Sequence, residues 1–92
     1  MPTDIRQIVT NHQKQVLRRT KKVSLPIKAA VYAGCKHPGA ANQFNYDLKT
    51  YGLWEAIIYI QNGEPKYYEE GTAEKVLAIA LRNIPADAIQ VS

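Results

Sequence analysis

The chain contains little cysteine and no long apolar run, and both shortages narrow the classes of protein to which it can belong. Cys35 is the one cysteine among 92 residues, so no intramolecular disulfide can form and the chain is not a disulfide-stapled secreted scaffold. The longest apolar runs are only a few residues, whereas a helix needs about 20 to cross a bilayer. The opening Met1-Pro2-Thr3-Asp4 lacks the apolar region of a secretory signal. We therefore expect a soluble intracellular protein of the cytoplasm, without a membrane among its partners.

Motifs for catalysis are also missing from the sequence. It has no G-x-G-x-x-G, Walker loop, G-x-S-x-G or H-E-x-x-H. Cys35 and His37, completed by Asp47, make a conceivable thiolate–imidazole pair or partial zinc site, but their spacing matches no common zinc pattern. We predict a non-enzymatic protein that needs no cofactor and no metal. A small basic nuclease or toxin-like enzyme is the alternative on this point.

A cluster of glutamates is the other candidate for chemistry, and it consists of Glu69, Glu70 and Glu74. Paired acids can bind a metal or share a proton. Glu74 is better explained as a charge at the start of a helix, and the other two as solubilising charges on an edge strand.

Length and composition favour one small folded domain spanning residues 1–92. Hydrophobic residues make up 46% of the chain and charged residues 22%, which is typical of globular proteins rather than disordered ones. A chain of this length buries roughly 60–68% of its unfolded surface, so its core is thin. Because association adds burial to a small core, we also consider a homodimer.

Helical signals lie at both ends of the chain. Residues 3–22 predict a basic N-terminal helix that Thr3 caps, with Asp4 in its first turn. A second helix is predicted from Thr72 and ends at Pro85. Its broad apolar face consists of Ala73, Val76, Leu77, Ala80, Leu81 and Ile84.

Strand signals dominate the middle of the chain. Residues 24–34 fit either a helix or a strand, and a strand is slightly favoured. Pro38-Gly39 indicates a loop over 35–43. Alternating apolar and polar residues predict a strand over 44–49, and an apolar run predicts a central strand over 53–60.

The remaining signals complete an α+β fold. Asn62-Gly63 predicts a hairpin turn into a short edge strand over 65–70, and Ile89 and Val91 suggest a last strand. The predicted architecture is a mainly antiparallel sheet of three to five strands, with the C-terminal helix packed on one of its faces.

Charge is the strongest functional signal, because the two ends of the chain carry opposite net charges. Residues 1–37 hold eight cations and one acid, a net charge of +7, whereas residues 38–92 hold four cations and seven acids, a net charge of −3. Clustered cations attract phosphate backbones through Coulomb energy and counterion release. The predicted nucleic-acid-binding residues are Lys14, Arg18, Arg19, Lys21, Lys22 and Lys28. Arg6 and Lys36 would extend this footprint, with Gln7 and Asn11 on the same helix.

Aromatic residues are a weaker signal for the same partner. Exposed aromatics can stack unpaired bases, but most of these lie in the acidic part of the chain, where packing within a sheet is the simpler explanation. A patch of Trp54, Tyr59 and Tyr67 would suit a protein interface better.

The sequence therefore predicts a small DNA- or RNA-binding or regulatory protein whose basic helix contacts phosphates. The alternative partner is an acidic protein surface. In that case the chain is a protein-interaction module, such as a small viral or mobile-element modulator that docks on a larger complex.

Overall fold

Helices account for almost all of the regular structure in the computed structural model, which describes residues 4–63 and 66–83. In chain order they are a 3-10 turn Ile5–Gln7, α1 Asn11–Arg19, α2 Leu25–Gly34, α3 Pro38–Tyr51, α4 Leu53–Asn62 and α5 Thr72–Arg82. One antiparallel bridge, between Cys35 and Tyr68, is the only strand-like pairing in this part of the chain. Within the same residues, every helix is too short or too polar to cross a bilayer.

The predicted α+β fold is therefore wrong, since the described residues form no sheet. Residues 24–34, where a strand was favoured, form α2. It buries Ile27, Ala30, Val31 and Gly34, which recur at three- and four-residue steps. This spacing is the helical period, and it outweighs the shorter alternation that favoured a strand.

The predicted strands over 44–49 and 53–60 are also helical. In α3, Phe44 and Leu48 are buried one turn apart while Tyr46, expected on their face, is 58% exposed. Pro38-Gly39, read as a loop signal, instead starts α3, because proline is well tolerated in the first helical turn. The apolar run over 53–60 forms α4, because short apolar runs suit buried helices as well as strands.

The predicted hairpin at Asn62-Gly63 is wrong because α4 ends there. Of the edge strand over 65–70, the described part makes turns and the single bridge at Tyr68. The predicted stop at Pro85 and the last strand at Ile89 and Val91 lie outside the described residues.

The two predicted helices are confirmed in part. The N-terminal one is interrupted: the 3-10 turn ends at Gln7, and α1 starts only after Thr10. A capping box joins Thr10 and Gln13, whose side chains each accept a hydrogen bond from the other's backbone N–H. At the other end, α5 buries Ala73 as predicted, but its N-cap is Gly71 rather than Thr72.

Helix α4 is central, because it packs against α1, α3 and α5. Its first and last turns are buried at Leu53 and Ile60, and Ile57 between them is fully buried. The other large, fully buried side chains include Leu17, Phe44, Val76 and Leu77. Three neighbours around one helix explain why this segment is apolar on most of its sides.

The corner between α3 and α4 fixes the end of α1. Gly52 has φ +96° and ψ 170°, a conformation essentially restricted to glycine. A Cβ at this position would lie 2.8 Å from the carbonyl carbon of Arg18, and closer still to the oxygen. The next backbone N–H, of Leu53, donates to the carbonyl oxygen of Thr20 at 2.8 Å.

Helix α2 packs against α5. The end of α2 and the residues after it are also hydrogen-bonded to residues 67–69, which precede α5. A Cβ on Gly34 would lie 2.6 Å from Cγ2 of Thr72, so the two helices touch closely. Beyond α2, the N–H of Lys36 donates to the carbonyl of Tyr67 at 2.8 Å, and the N–H of Glu69 donates to that of Gly34 at 2.7 Å. These bonds place residues 35–37 beside residues 66–69.

We expect Gly52→Ala to lower the free energy of unfolding by about 3 kcal/mol or more, because backbone strain and a clash with Arg18 add together. Urea denaturation followed by circular dichroism measures the loss. Gly71→Ala is the matched control: its φ is +84°, but a Cβ there meets only a side-chain oxygen of Glu74 at 4.0 Å. The control should lose about 1–2 kcal/mol. Equal losses in the two variants would contradict the close packing at Gly52.

Candidate nucleic-acid interface

Two of the six predicted phosphate-binding residues are engaged with α4. The Arg18 guanidinium pairs with the Glu55 carboxylate at 3.5 Å, and both side chains are about half exposed. The Lys14 ammonium lies 5.6 Å from the centre of the Trp54 ring, within the range of a cation–π contact. Both cations therefore contact α4 from α1, and the Glu55 carboxylate partly offsets the charge of Arg18.

The other four predicted residues follow these two and are exposed. They are Arg19, Lys21, Lys22 and Lys28. Among the residues that the structure describes, none of the four has an ion-pair partner. Arg19 ends α1, the two lysines occupy the connection over 20–24, and Lys28 lies in the first turns of α2. The structure thus leaves four cations exposed between the last residue of α1 and the first turns of α2, a group that we call the basic end.

The basic end owes its net positive charge to a long stretch of sequence that contains no aspartate or glutamate. No aspartate or glutamate occurs between residues 5 and 46, and Asp47, the first to follow, is only 6% exposed. Within the described residues, the nearest ion pair in sequence is that of Arg18 with Glu55, directly before the basic end. The positive field of the basic end is consequently weakly opposed.

Arg6, a predicted extension of the footprint, lies elsewhere. It pairs with Asp4 at 3.4 Å and donates to the side-chain oxygen of Asn62 at 3.5 Å. Asn62 ends α4, whereas Glu55 and Arg18 mark its start, so Arg6 sits at the far end of that helix. Its charge does not add to the basic end.

Lys36, the other predicted extension, borders a set of aromatic side chains. A shallow hollow of about 350 Å³ is lined by Tyr32, Lys36, His37 and their neighbours. His37 also lines a second hollow of about 200 Å³ between the start of α3 and residues 67–68, and Tyr59 and Tyr67 form other walls of it. Sequence reasoning missed this arrangement, because it assigned these aromatics to strands. Trp54, grouped with Tyr59 and Tyr67, is only 2% exposed and belongs to the core.

The rings in the second hollow, which we call the aromatic cleft, are held in place. His37 meets Tyr67 edge to face, with ring centres 5.2 Å apart and planes at 89°. The Nδ1 of His37 accepts the N–H of Gly39 at 3.1 Å, which fixes its ring at the start of α3. The Lys66 ammonium lies 5.3 Å from the centre of the Tyr67 ring.

Neither cysteine chemistry nor a metal group emerges around this cleft. The Cys35 thiol donates to the carbonyl of Val31 at 3.1 Å, and burial raises its pKa, so the thiolate is disfavoured. Within residues 4–63 and 66–83, no three histidine, cysteine or acidic side chains come together as a metal-binding group.

The three clustered glutamates do lie together, at the start of α5. Glu69, Glu70 and Glu74 line one hollow of about 390 Å³, which Lys36 also borders. Negative side chains are favourable beside a helix N-terminus. This acidic hollow adjoins the aromatic cleft, since Tyr68 lines both, but the three glutamates line only the acidic hollow.

Asp47 is a buried carboxylate next to the aromatic cleft. Its Oδ1 accepts the side-chain amide of Gln43 at 3.1 Å, while its Oδ2 is buried with no hydrogen-bond partner among the described residues. Desolvation raises the pKa of Asp47, and the Gln43 bond opposes that rise only in part. Burial likewise raises the pKa of Tyr68, whose hydroxyl donates to the carbonyl of Ala40 at 2.9 Å.

Comparisons with known proteins add no relative to this description. No protein-family model matches the chain, and neither a curated protein nor a solved structure matches it. The function must therefore be argued from the side chains themselves.

We expect Asp47→Asn to gain stability relative to the native chain as the pH rises above about 4, the ordinary pKa of aspartate. The pKa of Asp47 is raised in the folded state, so folding free energy is lost progressively as the pH rises from the unfolded pKa to the folded pKa, and the full cost is present above the folded pKa. At lower pH the carboxyl is protonated in both states and the cost disappears. Urea unfolding of both proteins at pH 3.5 to 7.5 measures the difference.

Asp4→Asn is the control with the opposite sign. The backbone N–H of Arg6 lowers the pKa of Asp4, with further help from the Gln61 side chain. Its ionised form contributes stability that is present above the unfolded pKa and lost as the pH falls through the folded pKa. The control should thus lose stability relative to the native chain as pH rises. Parallel pH curves for Asp47→Asn and the native chain would show that Asp47 titrates normally.

Proposed function

We propose that the protein binds the phosphate backbone of a nucleic acid through its basic end. The observation that carries this proposal is the exposure of Arg19, Lys21, Lys22 and Lys28 without a carboxylate partner among the described residues. Four such cations within ten residues, in the middle of an acid-free stretch, favour a polyanion over a neutral partner. Arginine can also grip a phosphate with two parallel hydrogen bonds.

The arrangement favours contact with the backbone rather than with particular bases. Contacts to phosphate position a protein on nucleic acid but do not specify a sequence. Gln7 and Asn11, the polar residues expected to reach base edges, lie in the 3-10 turn and at the first residue of α1. α1 has nine residues and is about 13 Å long, so both side chains lie far from the basic end. We therefore propose binding with little sequence preference.

Counterion release gives the proposal a quantitative form. Each neutralised phosphate changes the slope of log K against log salt by about −0.9 on duplex DNA and −0.7 on a single strand. Four cations predict a slope of about −3.6 on duplex and −2.8 on single strands. Arg18 and Lys14 are excluded from this sum because their charges are engaged on α4.

We expect Lys21→Glu combined with Lys22→Glu to weaken binding to every oligonucleotide by a similar factor and to reduce the magnitude of the duplex slope by about 1.8 or more. Fluorescence anisotropy at 50, 100 and 200 mM salt measures both quantities. The physical reason is that two phosphate contacts become repulsions while the buried core is untouched, since both lysines are exposed.

Lys49→Glu combined with Lys75→Glu is the matched control. Both lysines are exposed, on α3 and α5, and the double change lowers the net charge from +4 to 0 just as the test variant does. The control should retain most of the affinity. If both double variants lose affinity equally, only the net charge matters and the basic end is not a site. If neither loses affinity, phosphate binding by these lysines is ruled out.

An acidic protein surface is the second candidate partner, and the outer face of α2 favours it. Leu25 is 78% exposed and Tyr32 is 50% exposed on a helix that packs chiefly on α5. Exposed apolar side chains among cations are typical of interfaces with acidic partners. This candidate predicts no measurable binding to oligonucleotides near physiological salt. It also predicts saturable binding to an acidic protein, which Leu25→Glu abolishes.

A further inference from the structure

We propose that the aromatic cleft at His37 binds an unpaired base of a single-stranded nucleic acid whose phosphates follow Lys28 and Lys36. The inference rests on the proposed phosphate binding and names its substrate class: single strands in preference to duplex. The cleft was not among the predicted site residues. It emerges only from the way in which α3, α4 and residues 66–69 meet.

A continuous surface joins the basic end to the cleft. Tyr32 lies one turn after Lys28, on the same face of α2, and is half exposed. Tyr32 and Lys36 line the shallow hollow, and His37 lines both that hollow and the aromatic cleft. α2 is about 15 Å long, so cations and aromatic rings alternate along one short path.

The cleft has the walls that a base requires. His37, Tyr59 and Tyr67 present aromatic surface, and each base has a π-face that stacks on such rings. Tyr59 is 37% exposed, so a ring can reach it from solvent. Gly39 and Ala40 form part of the lining and take up little room. A volume of about 200 Å³ is below the range of drug-sized pockets and suits one flat ring system.

Charge around the two hollows favours the same ligand. Lys36 borders the first hollow and Lys66 lies against Tyr67 in the cleft. No carboxylate is among the residues that line either hollow. A strand can therefore place a base between the rings without bringing its own phosphates against an acid. Glu69, Glu70 and Glu74 line a neighbouring hollow instead, which shares Tyr68 with the cleft and Lys36 with the first hollow.

Geometry also explains why a duplex would not use the cleft. In a duplex the bases are stacked and paired, so a ring can enter a pocket only after it has been unstacked. A single strand presents its bases at little cost. The basic end should bind both forms through their phosphates, whereas the cleft adds affinity only for the single strand.

The test compares a single-stranded 12-mer with the duplex of the same sequence, by fluorescence anisotropy at constant salt. Tyr59→Ala should weaken binding to the single strand by roughly five- to 150-fold, the range found for loss of one stacked base, and leave duplex binding unchanged. Tyr59→Phe keeps the ring and should bind the single strand within about twofold of the native chain. In a 12-mer carrying 2-aminopurine, stacking should quench emission with the native chain and Tyr59→Phe, but less with Tyr59→Ala.

Tyr46→Ala is the matched control, because Tyr46 is 58% exposed on α3 and lines neither hollow. Affinity for the single strand that is equal in the native chain, Tyr59→Ala and Tyr46→Ala overturns the base site. If the Lys21→Glu and Lys22→Glu variant is still weakened, the phosphate proposal survives that result. Equal weakening of single strand and duplex by Tyr59→Ala also overturns the base site. Absence of binding to any oligonucleotide removes both proposals.

Discussion

The contact between Gly52 and the backbone of Arg18 is the constraint on which the arrangement of the other elements depends. It brings the end of α1 against the corner of α3 and α4, where only a residue without a side chain fits. The hydrogen bond from Leu53 to Thr20 then fixes the first residue beyond α1. Since the exposed cations lie on either side of that residue, a packing contact in the core determines where the charge of the surface is held.

The corner between α3 and α4 also explains why Arg18 is paired while the cations after it in the sequence are exposed. Arg18 lies beside the start of α4 and pairs with Glu55 there, so it acts as an anchor for α1. An exposed pair of this kind contributes little free energy, about 0–1 kcal/mol, and its main effect is on position. Arg19 and Lys21 extend beyond the anchor and stay exposed. The exposed cations thus begin directly after the residue that pairs with α4.

The sequence indicated the clustered cations but not the fold, because apolar residues on several faces of α2 and α4 hid their helical period. Ile27, Ala30 and Val31 carry the helical period of α2, but Leu25 would also share a strand face with Ile27 and Val31, and exposed Leu25 and Tyr32 make the outer face of the helix apolar as well. An amphipathic pattern is blurred when a helix is apolar on its outer face as well. Over 53–60, neighbours on three sides of α4 removed the polar positions that would have revealed a helix. The α5 prediction succeeded because its apolar and polar faces are distinct.

In the candidate site, too, the features that depend on neighbouring residues in the sequence could be predicted, whereas those that depend on contacts between distant residues could not. The acid-free stretch is a property of the sequence, so the basic end could be predicted from composition. The partners of Arg18 and Lys14 could not, because they lie about 40 residues away on a helix that was expected to be a strand. The aromatic cleft depends on contacts between residues 34–37 and 67–69 that only the folded chain makes.

Lys36 lies between the aromatic surface and the acidic surface, with aromatic rings on one side and three glutamates on the other. A nucleic acid bound as we propose would be repelled by the glutamates on one side of Lys36, so its bases would follow the aromatic side.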